Sequence, residues 1–177
     1  RRQAKKADAL LGDPPLSMLL AAQAAQLGGD ESAAERYFQD MLKRKETEFL
    51  GLRGLLMQAL RAGRRDQALA LAERARELRP DSASVLEALF ALNTQSGHWL
   101  EAQAALERLR DRKLLAKGAA RQRLAALLVE RSREALASRH AEEALPQQRR
   151  AQDLDPTLTP ATLAGIPYFS RRKSIRR

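Results

Sequence analysis

Few side chains in this sequence could do chemistry. Two of them are imidazoles, His98 and His140, the only histidines among 177 residues. A neutral imidazole is a competent ligand for a metal or a haem iron, and it can carry a proton near neutral pH. Neither histidine has a second ligand close by in sequence. Each stands at a turn, where an exposed residue beside a helix start accounts for it without chemistry. Tyr37 and Tyr168 are weaker candidates still, and Trp99, at the start of a helix, reads as packing rather than recognition. Cysteine is absent, which removes disulfides, thiolate zinc sites and thiol nucleophiles together. The chain has no Gly-x-x-x-x-Gly-Lys phosphate loop and no His-Glu-x-x-His pair. Glu73, Glu77, Glu101 and Glu107 stand at helical spacing from arginines, as surface ion pairs do. The expectation is a protein that is not an enzyme, with no catalytic residue, no cofactor and no metal site. His98 and His140 are its leading candidates for a haem ligand.

The elements that must carry these residues repeat. From Phe49 to Ser82, Leu52, Leu55, Leu56 and Ala59 mark one helix face; Ala62-Gly63 turns; Ala68, Ala72 and Ala75 mark a second; Pro80 ends it. The same frame moved forward by 34 residues lands on Leu86, Leu89, Phe90, Gly97, Ala102, Leu106 and Leu109. Moved back by 34 it lands on Met18, Ala21, Ala22, Ala25, Gly29, Ala34, Phe38 and Met41. A fixed period of this length is the mark of a helical solenoid, whose units bury their apolar faces against their neighbours. The spacing predicts helices near 15–27, 31–45, 48–62, 65–78, 83–96 and 99–112, with Asp81 and Ser82 as N-caps of the fifth. The last unit, with Ala144, Ala151 and Pro156, begins near Ala125, eight residues later than strict periodicity demands. Gly118 to Ser138 holds no proline or turn cluster, so those residues read as one long helix near 118–138, followed by a helix near 141–154.

Composition agrees with an all-α chain. Apolar residues make up 44% and aromatics only 4%, with alanine and leucine dominant and no run that reads as a strand. The net charge of +10 lies mainly at the ends. Residues 1–10 carry +3 and residues 159–177 carry +5 with no acid, which leaves +2 for 11–158. A nucleic-acid-binding domain more often sets its cations along one structural face, and no nucleic-acid partner is expected. The basic end Ser170–Arg177 reads as a solvated or truncated helix, then as a segment for an anionic membrane surface, and last as an RNA contact. No stretch approaches the roughly 20 apolar residues that cross a bilayer, so these residues are expected to be soluble. The start on Arg1-Arg2-Gln3 reads as a piece of a longer protein. The expected organisation is the end of a preceding helix at 1–12, a solenoid at 13–158, and a partial helix broken at Gly165-Ile166-Pro167 with a basic tail at 159–177.

The Leu/Ala/Gly/Ala/Pro frame resembles the tetratricopeptide repeat over residues 15–158. The small residue of that repeat's second helix is matched by Ala34, Ala68, Ala102 and Ala144, and its closing proline by Pro80 and Pro156. The early aromatic of its first helix is replaced by Met18, Leu52, Leu86 and Leu128. The stretches LSMLLAAQAAQLGGDESAAERYFQDML, ALALAERARELRPDSASVLEALFALNTQSGHWLEAQAALERL and AQDLDPTLTPATLAG are similar to the HemY-type proteins of proteobacteria. That resemblance implies a tetratricopeptide-like solenoid of about four units behind N-terminal membrane helices, linked to late haem (protoporphyrin and protohaem) biosynthesis. It implies a full-length parent at the bacterial inner membrane, tethered through a segment upstream of this sequence, and it brings no catalytic motif.

In such a solenoid the partner surface is the concave side, lined by first-helix residues outside the core. In this frame they are Leu16, Leu19, Gln23 and Gln26, then Leu50, Arg53, Met57, Leu60 and Arg61, then Ser84, Glu87, Ala91 and Gln95. The mixture is apolar with a few charges and suits an amphipathic helix or an extended peptide. Carboxylate-clamp tetratricopeptide domains use a Lys/Asn set where Leu19, Gln23, Arg53 and Met57 stand, so that mode is not expected. The expected function is a non-catalytic protein-interaction scaffold whose partners include haem-biosynthetic enzymes. The alternatives are an assembly or chaperone-like adaptor unrelated to haem, and a direct binder of haem or porphyrin.

Overall fold

A computed structural model describes residues 14–158. The expectations for 1–12, for Tyr168 and for the tail 159–177 lie outside the described residues. Eight helices follow in chain order: α1 Pro14–Leu27, α2 Glu31–Met41, α3 Lys45–Arg61, α4 Arg65–Leu78, α5 Ala83–Ser96, α6 Trp99–Asp111, α7 Lys117–Ala137 and α8 Ala141–Leu154. The described residues contain no strand, and the protein is all-α. The chain divides into two compact units, with the boundary inside α5 between Leu92 and Asn93.

One backbone device recurs at the joint within each helix pair. Gly29, Gly63 and Gly97 have φ of +79°, +69° and +75°, each 34 residues after the last. The left-handed residue turns the chain, and the next N–H reaches back five residues: Asp30 N to Ala25 O, Arg64 N to Ala59 O and His98 N to Asn93 O, all 2.9 Å. This is the Schellman closure, which satisfies carbonyls the helix end leaves open. The fourth such joint is at Arg139, φ +61°, with His140 N to Ala135 O at 2.8 Å. It stands 42 residues after Gly97, the period plus the eight residues taken up in α7. The residues that start the following helices, Asp30, Arg64, His98 and His140, share one backbone conformation, with φ between −81° and −101° and ψ between 61° and 76°. Four residues on, Ala34, Ala68, Ala102 and Ala144 are each fully buried. A larger side chain at these fully buried sites would overpack the interior.

In the first unit α1 packs on α2, α2 on α3 and α3 on α4, and α1 also touches α3. Phe38, Met41, Leu52, Leu55, Leu56 and Leu71 form the core with the small residues between them. The α2–α3 contact is close because α3 carries two glycines. A Cβ at Gly51 would lie 2.6 Å from the Phe38 carbonyl oxygen, and one at Gly54 would run into the Phe38 ring. Each glycine weakens an isolated helix by about 1 kcal/mol, a cost offset here by seating the aromatic ring against backbone.

One boundary differs from the expectation. The break between α2 and α3 falls at Leu42–Arg44, not at residues 46–47. No glycine or proline marks it. It is made by short-range bonds, Leu42 N to Gln39 O and Lys43 N to Asp40 O, and by the fully buried Thr47, whose Oγ1 donates to Met41 O at 2.7 Å.

In the second unit α7 packs against both α6 and α8. Its six residues Leu124 to Val129 are all buried, so this part of α7 is covered on every side rather than amphipathic. Ser132, fully buried, donates to Val129 O at 3.0 Å and receives Gln148 Nε2 at 3.4 Å from α8. Pro146 lies inside α8, where it can offer no N–H to the carbonyl of Glu142.

Candidate functional site

The residues of the expected concave surface lie on α1, α3 and α5, and none of them belongs to the core. On α1 Leu19 is half-buried and Gln23 exposed; on α3 Leu50 and Leu60 are half-buried, and Arg53, Met57 and Arg61 exposed. On α5 Glu87 is half-buried and Ala91 exposed. Met57 is 43% exposed, a large open fraction for an apolar side chain flanked by the buried Leu56 and Gln58.

Arg61 already has a structural duty. Its NH2 lies 3.3 Å from both carboxylate oxygens of Glu31, at the start of α2. Between them Gln58, only 4% exposed, donates Nε2 to the Glu31 backbone oxygen at 3.0 Å and to Glu31 Oε2 at 2.6 Å. The Gln58 hydrogen bond, aided by the Arg61 charge and opposed by partial desolvation, holds the Glu31 carboxyl below its ordinary value of 4.5. The three residues tie α3 to the N-terminus of α2, where a negative charge is also favoured by the helix dipole. Arg53, by contrast, makes no ion pair with a described residue.

The sequence reading did not foresee a cleft of about 440 Å³ in the second unit. His98, Trp99, Leu100 and Glu101 border it from the start of α6, Arg131, Glu134, Ala135 and Ser138 from the end of α7, and His140, Glu143 and Gln147 from the start of α8. Both histidines thus reach one site. Each is exposed and occupies a helix N-cap position without a side-chain capping bond. Asp30, in the equivalent place on α2, does cap, its Oδ1 accepting from Ala33 N at 2.8 Å. Arg131 is held at the wall of the cleft by its bond from NH1 to Gln103 Oε1, 2.7 Å. Glu101, Glu134 and Glu143 pair with no described cation, and Gln147 Oε1 is a buried acceptor without a donor. With neutral imidazoles the lining carries a formal charge of −2. Among the described residues no group of three or more His, Asp or Glu side chains is placed to hold a metal ion. The equal places of His98 and His140 in their units were legible; that α6, α7 and α8 converge there depends on tertiary packing.

No helix of the described residues is long and apolar enough to cross a membrane. No protein-family model matches the chain, and no curated protein shows a significant match to it.

Proposed function

We propose that this chain is a tetratricopeptide-like solenoid that acts as a non-catalytic scaffold for protein partners, bound along the first-helix face of α1, α3 and α5. The observation that carries this reading is the joint that recurs at Gly29, Gly63, Gly97 and Arg139, each followed by a fully buried alanine. Repetition of one helix-pair unit is the pattern by which repeat proteins present equivalent positions for binding. The exposed Arg53 and Met57 are the side chains we assign to partner contact. The similarity to HemY-type proteins extends the proposal to gathering enzymes of late haem biosynthesis, from a parent tethered in the bacterial inner membrane. Fold alone does not name a partner, and that extension rests on the resemblance.

The test is affinity purification of the full-length parent from native membranes in mild detergent, beside an Arg53→Ala/Met57→Ala variant. Arg61 is left intact because it braces Glu31. Haem-pathway enzymes captured by the parent and lost from the variant support the scaffold and its face. Capture of unrelated assembly factors instead removes haem from the proposal and leaves an adaptor.

A second reading is favoured by one observation, the meeting of His98 and His140 in a single cleft: direct binding of haem or porphyrin. The three carboxylates that border the cleft oppose the acidic side chains of a porphyrin. A saturable Soret shift with haemin, lost in His98→Ala/His140→Ala, is the result this reading requires.

A further inference from the structure

The near-neutral balance of residues 11–158 hides a segregated charge. Residues 108–123 hold seven Lys/Arg and one acid, Asp111, a net of +6, so the rest of 11–158 carries −4. The cations gather where α6 turns into α7 through residues 112–116, and the two helices pack on each other. Arg108 precedes the end of α6 by three residues and Arg121 follows the start of α7 by four. At the helical rise per residue, both stand within about 6 Å of the turn along their helix axes. Arg108, Arg110, Arg112, Lys113, Lys117 and Arg121 are all exposed. Asp111 is engaged by its neighbour Arg110 at 2.8 Å, and Lys113, Lys117 and Arg121 make no ion pair with a described residue.

Folding does not account for this arrangement. Cations in the last turn of α6 suit the helix dipole, but Lys117 opens α7, the end at which the dipole disfavours a cation. The first turn of α7 contains no acid, and its N-cap, Ala116, supplies no side-chain capping bond. Lys113 holds φ +57°, a left-handed conformation that glycine adopts without strain. Independently of the charge, the turn exposes apolar surface: Leu114 is 40% exposed and Ala116 is exposed, both between Lys113 and Lys117. A lone exposed leucine is ordinary on a protein surface. In the middle of a turn ringed by cations, it meets the demands of one environment, the face of an anionic bilayer. There lysine and arginine heads reach lipid phosphates while an apolar side chain enters the acyl boundary. A single-stranded nucleic acid calls for stacking rings, and no Phe, Tyr or Trp occurs between Trp99 and Tyr168.

We infer that the α6–α7 turn is a peripheral membrane-contact site that docks on anionic phospholipid headgroups, with Leu114 entering the interface. This contact is additional to the first-helix face and uses no residue of α1, α3 or α5.

The full chain is sedimented with vesicles of phosphatidylcholine alone and of phosphatidylcholine carrying about one-third phosphatidylserine. Salt-sensitive binding to the anionic vesicles is expected, with little to the neutral ones. The Lys113→Gln/Lys117→Gln/Arg121→Gln variant is expected to bind about tenfold or more weakly, with unchanged helical circular dichroism. Arg171→Gln/Arg172→Gln/Lys173→Gln removes equal charge outside the turn and is expected to weaken binding less. The chain has no cysteine, so Leu114→Cys carries a single environment-sensitive fluorophore. Its emission is expected to shift to the blue on anionic vesicles, while the same label at Leu78→Cys does not shift. Equal binding to neutral vesicles, full binding by the turn variant, or no shift at position 114 would overturn the inference. So would single-stranded polyuridylate that strips the chain from the vesicles and loses its own binding in the turn variant. None of these results bears on the Arg53/Met57 comparison, so the scaffold reading stands or falls separately.

Discussion

Glu31 shows how a single exposed acid can be bound into the fold. Gln58 and Arg61 both prefer its ionised form, so its carboxyl titrates below 4.5 in the folded chain. A group lowered in this way contributes fully above its unfolded value, and the contribution is lost as pH falls through the lower folded value. Urea midpoints for the chain and for Glu31→Gln should therefore differ at pH 7 and converge at pH values below 4.5. A difference that persists at low pH would assign the effect to neutral contacts of the Glu31 side chain rather than to its charge. Arg139 offers a second test at this scale. It holds φ +61° where the three equivalent joints use glycine, and a left-handed conformation costs a side chain about 1 kcal/mol. Arg139→Gly should raise stability by about that amount, and Gly63→Ala should lower it by about as much. Thermal unfolding of the two variants checks both signs.

Helix-scale contacts are decided by volume. Gly51 and Gly54 let α2 lie close on α3, with Phe38 filling the space. Gly54→Ala or Gly51→Ala should destabilise by about 1–3 kcal/mol through overpacking, despite the better helix propensity of alanine. Gly118, near the start of α7, is a control: nothing lies within 4 Å of its would-be Cβ, and Gly118→Ala should stabilise by about 0.5–1 kcal/mol. Opposite signs for the same substitution would show that packing, not propensity, governs the first pair. In α8 the gap left by Pro146 at the Glu142 carbonyl predicts that Pro146→Ala stabilises by about 1–3 kcal/mol, read from chemical unfolding. Gly51, Gly54 and Pro146 were not singled out in the sequence because their effects depend on what faces them. The 42–44 turn was misplaced for a related reason: its stop signal is a hydrogen bond from buried Thr47, not a residue type that breaks helices.

For the whole molecule, what the sequence made legible was the period. Gly29, Gly63 and Gly97 at equal spacing, the alanines that follow them, and the absence of proline and turn clusters from 118 to 138 place the helix pairs and the long α7, because turn chemistry and small-residue packing are local. The cleft was not legible, since its lining comes from three helices and its two histidines lie 42 residues apart. The central claim is that the first-helix face holds a protein partner. The most direct measurement places a photo-crosslinking side chain at Met57 of the protein in living cells, with Leu78, exposed at the end of α4, as the comparison site. The account predicts a discrete adduct at position 57, identified by mass spectrometry as a haem-biosynthetic enzyme, and none at 78. No adduct at 57, or the same adducts at both positions, would contradict it.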